Sequence, residues 1–574
     1  MTATHLWFGT DARPLAGHYS VPDNGLVRGA VVLCQAFGME AAAAAPTMRE
    51  LAKLLVAEGL AVLRFDYDGT GDSAGDDLDV LRVESWQSSI VQAVEFLRSR
   101  GHSWVGSVGL RLGATLLAET LRSEVATSAA VLWDPCVSGR SFLREQQLLL
   151  RVLSGEEPLD DGNRYGPGVT FTAATIDELS RITLNSALGD LDLPTLIVTR
   201  EGQDSISVGS SDVRAGLTSV SVSGQIELVG VEPAQARVPW DTLKLIAEWL
   251  SKMAPSDLYE HQSPEAGRAV VGRSDAGEPI VEYAMSIGTD GLFAICTEPV
   301  TPERSMSVVF FNAGILDHVG PSRLWVELSR RWAALGFRSY RFDLSGIGDS
   351  PPLEGMTERI TRSVHSLRQA GEVVNFVGGD TSDVLLVGLC AGAYQAMEVA
   401  MAGRVRALFL VNPDFRANPL EVTYAGESEL KRAVAESPAK WYSKLEKLQF
   451  LWPLARRFPD IVWRGINFVA LGTSRANTLV RLGEAGVDTF VISNSYQAES
   501  DSRGRKARLR RLSVEGAVTF KRIDPLDHTV FGPLARRSVS NAMTSRLVER
   551  FSSGQSVAQW SGQNDGPAIV PPAR

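Results

Sequence analysis

The chain has 574 residues, more than one hydrophobic core ordinarily organises, so two or more domains are expected. Hydrophobic residues make up 44% and charged residues 22%, which excludes a disordered or fibrous chain. A net charge of −10 argues against a nucleic-acid partner, and Cys34, Cys136, Cys296 and Cys390 are too scattered for a zinc site or a disulfide framework.

Neither a metal nor a cofactor is therefore expected, and reduced thiols fit a cytoplasmic location. The N-terminus, MTATHLWFGTDARPL, lacks the basic start and apolar run of a signal peptide. VVLCQAFG then reads as a buried strand with Gln35 directly after it, and RFDYDGTGDS, from Arg64, as a strand followed by a turn. VGLRLGATLL (Val108 to Leu117) reads as a strand, a turn of small residues centred on Arg111, and a helix. The strand AAVLWDP follows, and Asp204 stands in TREGQDS after a further apolar stretch.

The segment 256–267 is polar and carries proline, serine and glycine, as a linker does. Beyond it the landmarks return. SVVFFNAG places Asn312 after a strand, LWVELSRRWAAL is an amphipathic helix ended by Gly336, and RFDLSGIGDS begins at Arg341. VGLCAGAYQA (Val387 to Ala396) has the outline of the arginine turn with Cys390 at its centre, and ALFLVNP follows. The run from Val384 to Met401 is the most apolar of the chain. It holds the turn glycines and Glu398, and a strand, turn and helix explain it better than a membrane span. The aromatic-rich, helical stretch at about 416–479 is expected to cap a cleft, and 554–574 to be a disordered tail.

The same interval of 277 residues separates Arg64 from Arg341 and Gln35 from Asn312, and 279 separates Gly109 from Gly388. Ordered landmarks at one offset indicate a tandem duplication. Continuous apolar strands alternating with helices imply an α/β class, with a mostly parallel sheet flanked by helices in each copy.

These residues resemble the α/β-hydrolase superfamily, over roughly Gly29 to Met253 and Arg268 to Phe551. NAGILDHVGPSRLW followed by RFDLSGIGDS looks like its serine-aminopeptidase-like branch, which includes hydrolases associated with exosortase systems. The resemblance implies two tandem α/β-hydrolase domains, 1–255 inactive and 268–553 active.

In the second copy the small residues Gly388, Ala391 and Gly392 suit a nucleophile elbow, with Cys390 as the nucleophile. A buried structural cysteine is the alternative. His528, in DPLDHTVFGP after the strand AVTFKRI, occupies the superfamily's place for the catalytic histidine. The backbone N–H groups of Ala391 and Ala313 are expected to form the oxyanion hole. The superfamily's acid usually follows the strand that here reads DTFVISN, which points to Asp501 or, alternatively, Glu499, although the spacing departs from the usual one; Asp414, after the preceding strand ALFLV, is the other alternative, a position some members use. His318 is a candidate substrate contact or shaper of the oxyanion loop, and His365 reads as exposed. Asp343 and Asp349, repeated as Asp66 and Asp72, read as turn residues.

In the first copy Arg111 cannot attack a carbonyl, and GVEPAQARVPW has no histidine where the second copy has His528. Arg111 is left as an anion clamp or as the partner of Asp204 or another acid. The expected activity is acyl transfer from an ester or thioester, small or carrier-bound, through an acyl-cysteine, with hydrolysis and transfer both open. A non-catalytic binding or scaffold protein, and a lyase or cyclase using the same cleft, are the alternatives.

Overall fold

Apolar runs such as GAVVLC and VLLVGL have no polar face to give to water, and both are buried along their whole length in the computed structural model. The structure describes residues 2–123, 127–154, 160–189, 191–202, 216–299, 305–353, 361, 363–379, 383–403, 405–413, 475–494, 513 and 516–551. The expected tail lies outside them, as does most of the expected cap. The last residues assigned to the cap enter a helix, Arg475–Glu484, whose Leu479, Val480 and Leu482 are buried in a hydrophobic core rather than over a cleft.

Two large sheets organise these residues. The first contains β1 (Thr2–Thr10), β2 (Arg13–Val21), β3 (Gly29–Cys34), β4 (Leu60–Phe65), β5 (Val105–Leu110), β6 (Ala129–Trp133), β7 (Thr195–Arg200) and β8 (Leu217–Val222), in the order β1-β2-β4-β3-β5-β6-β7-β8. The second contains β9 (Arg268–Arg273), β10 (Pro279–Ile287), β11 (Leu292–Pro299), β12 (Ser307–Phe310), β13 (Arg338–Phe342), β14 (Val384–Leu389), β15 (Ala407–Val411), β16 (Asp488–Ser493) and β17 (Val518–Arg522), in the order β9-β10-β11-β13-β12-β14-β15-β16-β17. Without β9 the two orders coincide strand for strand. In each sheet the central and C-terminal strands pair in parallel. Alternate residues of one strand feed opposite cores: Ala30, Val32 and Cys34 on one face of β3, Val31 and Leu33 on the other. The sheets are thus covered on both sides, as parallel sheets require. Among the described residues no helix is long and apolar enough to cross a membrane.

The antiparallel strands at the start of each half have no counterpart in the sequence reading. Their alternation is blurred because the other half covers the face a lone sheet would give to water. The rings of His5 and His18 lie 5.4 and 5.5 Å from that of Phe293, and Trp7 packs on Ala269, Val271 and Ile280. The linker is docked as well, since Tyr259–Glu260 pairs antiparallel with Leu26–Val27.

The two RFDxxGxGDS segments meet where the halves join. Asp66 and Asp343 act within their own turns: each accepts a backbone N–H six residues on, Asp72 at 3.0 Å and Asp349 at 2.9 Å. Asp72 and Asp349 instead reach across. Arg341 pairs with Asp72, and Arg64 pairs with Asp349, so each half gives the other one cation and one anion. Glu282 accepts from Arg341 at 3.0 Å and from Arg330 at 2.8 Å, and Arg323 donates to the carbonyls of Gly71, Ser73 and Gly75.

His318 sits in the middle, 3% exposed. Its Nδ1 is 2.7 Å from Asp343 and its Nε2 is 2.7 Å from Asp72. This corrects its expected role as a substrate contact, because both nitrogens are taken and no surface is left. Burial alone would lower its pKa, but the carboxylates of Asp343 and Asp72 outweigh burial and raise it well above the ordinary value.

His5 lies buried beside this cluster. Burial, only partly opposed by Asp72, lowers its pKa to about 4. A depressed group supports the fold above its unfolded value, about 6.5, and withdraws that support as pH falls through its folded value. His318, being raised, supports the fold below about 6.5 and withdraws as pH rises. Burial lowers the pKa of His18 and His102 as well, so His5→Gln should lessen rather than abolish the acid-side fall in calorimetric Tm between about pH 6.5 and 4, and leave the alkaline side unchanged. A Tm that climbs steadily from about pH 5 to 9 would contradict this assignment of charges.

Candidate active site

Strand β14 ends at Leu389, and the helix Ala391–Ala402 begins two residues later, so Cys390 must turn the chain by itself. It does so at φ 52° and ψ −110°, a conformation that costs a non-glycine residue about 1–3 kcal/mol and persists only when its surroundings enforce it. The neighbours do enforce it. A Cβ on Gly388 would stand 2.5 Å from the backbone of Gly392, and a Cβ on Gly392 would stand 2.4 Å from the carbonyl oxygen of Asn312. The Cys390 N–H donates to Val411 at 3.0 Å. Cys390 is half-buried, whereas the other three cysteines are fully buried. Burial pushes the Cys34 and Cys296 thiols up to about 12 and about 11, which leaves them unreactive near neutrality.

His528 brings its Nε2 to 2.9 Å from the Cys390 sulfur. The loop that carries it is held from several sides. Asn412 donates its amide to the carbonyls of Asp527 and His528, both at 3.0 Å, and Asn494 donates to Leu526 at 3.2 Å. Asp527 serves the same turn, accepting the N–H groups of Phe531 at 2.8 Å and Gly532 at 3.1 Å. The first half takes part too. Its Gly168 N–H donates to the Phe531 carbonyl at 2.7 Å, and its Asp77 accepts from Arg536 at 2.9 Å. Arg536 also donates to the carbonyl of Ser322, whose hydroxyl donates to Val530 at 3.2 Å.

The turn expected to complete the oxyanion hole follows β12, which pairs with β14. Asn312 fixes its shape, donating to Leu316 at 3.0 Å and Asp343 at 3.2 Å and accepting from Leu344 at 3.0 Å. Gly314 takes φ 65° beside open space. Asp501, Glu499 and Asp414, the expected acids, lie outside the described residues, as does Asp204. His365 is exposed. Asn412, Asn494, Asp77 and Arg536 escape a reading of the sequence. The only signal for Asn412 was a polar residue directly after the strand ALFLV, in a place where turn residues are common.

The first half repeats the elbow and fills it. Arg111 has φ 56° and is 3% exposed. Its guanidinium pairs with Glu40 at 3.1 Å, with Asp134 at 3.5 Å, and with Glu145. Among the described residues its partners are thus the acids Glu40, Asp134 and Glu145, which occupy the guanidinium that an anion clamp would need.

With this geometry in view, the chain was compared with known proteins, and the family match falls in the second half. Residues 308–540 match the model of the Alpha/beta hydrolase family. The match spans less than half of the chain. No curated protein matches it. Among solved structures, Est1E from Butyrivibrio proteoclasticus is 14% identical and aligns over 44% of this chain and 98% of its own, with a TM-score of 0.33. The Pyrococcus furiosus esterase Pf2001 is 15% identical over 44% and 92%, also at 0.33, and a proline iminopeptidase from Mycobacterium smegmatis is 14% identical over 44% and 98%, at 0.31. Scores this low add nothing about chemistry.

If Asn412 and Asp77 hold the histidine loop, Asn412→Ala and Asp77→Asn should each slow alkylation of Cys390 by iodoacetamide at about pH 7, with the asparagine change approaching roughly 10²-fold. Unchanged rates in both variants, with unchanged far-ultraviolet circular dichroism, would remove them from the positioning of His528.

Proposed function

We propose that the chain is a tandem duplication in which the second half, residues 268–553, is an acyl-transfer enzyme and the first, residues 1–255, an inactive copy that braces it. The observation that carries this reading is the 2.9 Å approach of His528 Nε2 to the sulfur of Cys390 on a strained elbow. The shared strand order and the two occupied elbows support duplication, and the family match supports hydrolase-type chemistry in the second half.

The steps follow from the groups present. His528 takes the thiol proton as the Cys390 sulfur bonds to the carbonyl carbon of an ester or thioester, and the carbonyl electrons move onto oxygen. The N–H groups of Ala391 and Ala313 receive that oxyanion, each worth roughly 3 kcal/mol in sites of this kind. The tetrahedral adduct collapses, the bond to the leaving alkoxide or thiolate breaks, and the imidazolium protonates that leaving group. An acyl-cysteine remains. Water, or an alcohol or amine acceptor, then attacks it with His528 as base, and the thiol is released. Asp501 is proposed as the acid behind His528, and a cysteine–histidine pair depends less on such an acid than a serine does. Arg111, protonated and enclosed by carboxylates, can neither attack nor shuttle a proton.

Incubation with acyl-thioesters and p-nitrophenyl esters should add the acyl mass to Cys390, read by intact and peptide mass spectrometry. Cys390→Ala should abolish both adduct and turnover. Arg111→Ala, if it folds, should keep both. No adduct and no turnover across such a panel would sink the acyl-enzyme reading, and equal losses from the two variants would sink the division between the halves.

A further inference from the structure

A cavity of about 160 Å³ lies between the halves, apart from Cys390. One wall is aromatic. Phe37 stacks on Tyr67 with centroids 4.7 Å apart and meets Trp86 at 4.5 Å. The opposite wall is the loop of residues 315–323, which continues directly from the Asn312–Gly314 turn.

The charged residues of the wall differ in what they are already bonded to. Arg323 is committed to three backbone carbonyls, and Arg536 to Asp77, Glu327 and the carbonyl of Ser322. Asp66 accepts from Gln35 and from the Asp72 N–H, and Asp317 accepts from Val319. Arg82 holds Asp68 through its terminal nitrogens. What remains without a partner is a set of donors. The indole N–H of Trp86 and the Nε of Arg82 are buried and unbonded, and Arg49 makes no hydrogen bond or ion pair among the described residues, although its charge favours the ionised carboxyls of Asp317 and Asp349. No buried side-chain acceptor among the described residues of the wall is left unbonded. Buried donors without partners are costly, and a wall whose fully buried unmet side-chain atoms, the Trp86 N–H and the Arg82 Nε, are both donors, with an unpaired arginine beside them, fits an acceptor-rich, negatively charged guest. The aromatic wall fits a flat apolar body on the same guest.

We propose that this cavity is a binding site for a small planar monocarboxylate, its carboxylate held by Arg49 with the Trp86 N–H and its ring lying beside Phe37 and Tyr67. The site stands apart from the thiol chemistry, so it is tested on the full-length Cys390→Ala protein, where binding is independent of the acyl-enzyme reading. Benzoate is the probe and benzamide, its uncharged counterpart, the control.

Titration calorimetry should show saturable benzoate binding and thermal melts a concentration-dependent rise in Tm, while benzamide does neither. Arg49→Ala should weaken benzoate roughly tenfold or more, the loss expected of one charge-assisted contact. Arg49→Lys, which keeps the charge, should retain part of the affinity and serves if the alanine protein does not fold. Absence of benzoate binding would overturn the proposal. Equal affinity for benzamide would remove the anionic contact, and affinity unchanged in both Arg49 variants would place the probe elsewhere; either result overturns it.

Discussion

His318 is held between Asp343 of its own half and Asp72 of the other, and much else in the molecule is arranged around that contact. Taking charges out of water costs several kcal/mol per ion, and only close pairing with further hydrogen bonds offsets it. Both conditions are met. Arg341, Arg64, Arg330 and the protonated His318 face Asp72, Asp343, Asp349 and Glu282 in a cluster whose charges balance. The loop that carries His318 begins at Asn312–Gly314, beside the elbow. The joint between the halves and the expected oxyanion turn are therefore parts of one short segment, and the geometry of the second depends on the first.

The elbows show how far backbone and chemistry can separate. Arg111 and Cys390 share a left-handed φ, a strand before and a helix after, and glycines that no larger residue could replace without a clash. What differs is the surroundings. Around Arg111 stand three carboxylates, and opposite Cys390 stands an imidazole on a loop bonded by two asparagines. Strain alone thus marks a place where the fold can present a side chain, and the neighbours decide what that side chain does.

The parallel strands, the elbows and the Cys390–His528 pair were legible because their signals are local: continuous apolar runs, small residues at a tight turn, a histidine after the last strand. The joint was not. Asp72 and Asp349 look like ordinary turn residues, and nothing in RFDLSGIGDS tells which of its carboxylates faces inward and which crosses to another half. His318 read as a cleft residue for the same reason, since its loop position was visible but its two acidic neighbours were not. The antiparallel edge strands lacked alternation because their second face is buried on the other half. Asn412 and Asn494 act through backbone carbonyls more than a hundred residues away in sequence or on a distant loop, a relation no spacing encodes.

A contact that is reciprocal about a twofold is ordinarily made by two identical chains, and there every substitution enters both sides at once. Here the Arg64–Asp349 and Arg341–Asp72 pairs sit on a single polypeptide. Each side can then drift alone. One elbow can hold a packed guanidinium while the other holds a thiol, and the halves stay matched because the residues that match them lie elsewhere. Symmetry of the joint and asymmetry of the two sites become compatible once they are encoded separately, which two copies of one chain could not achieve.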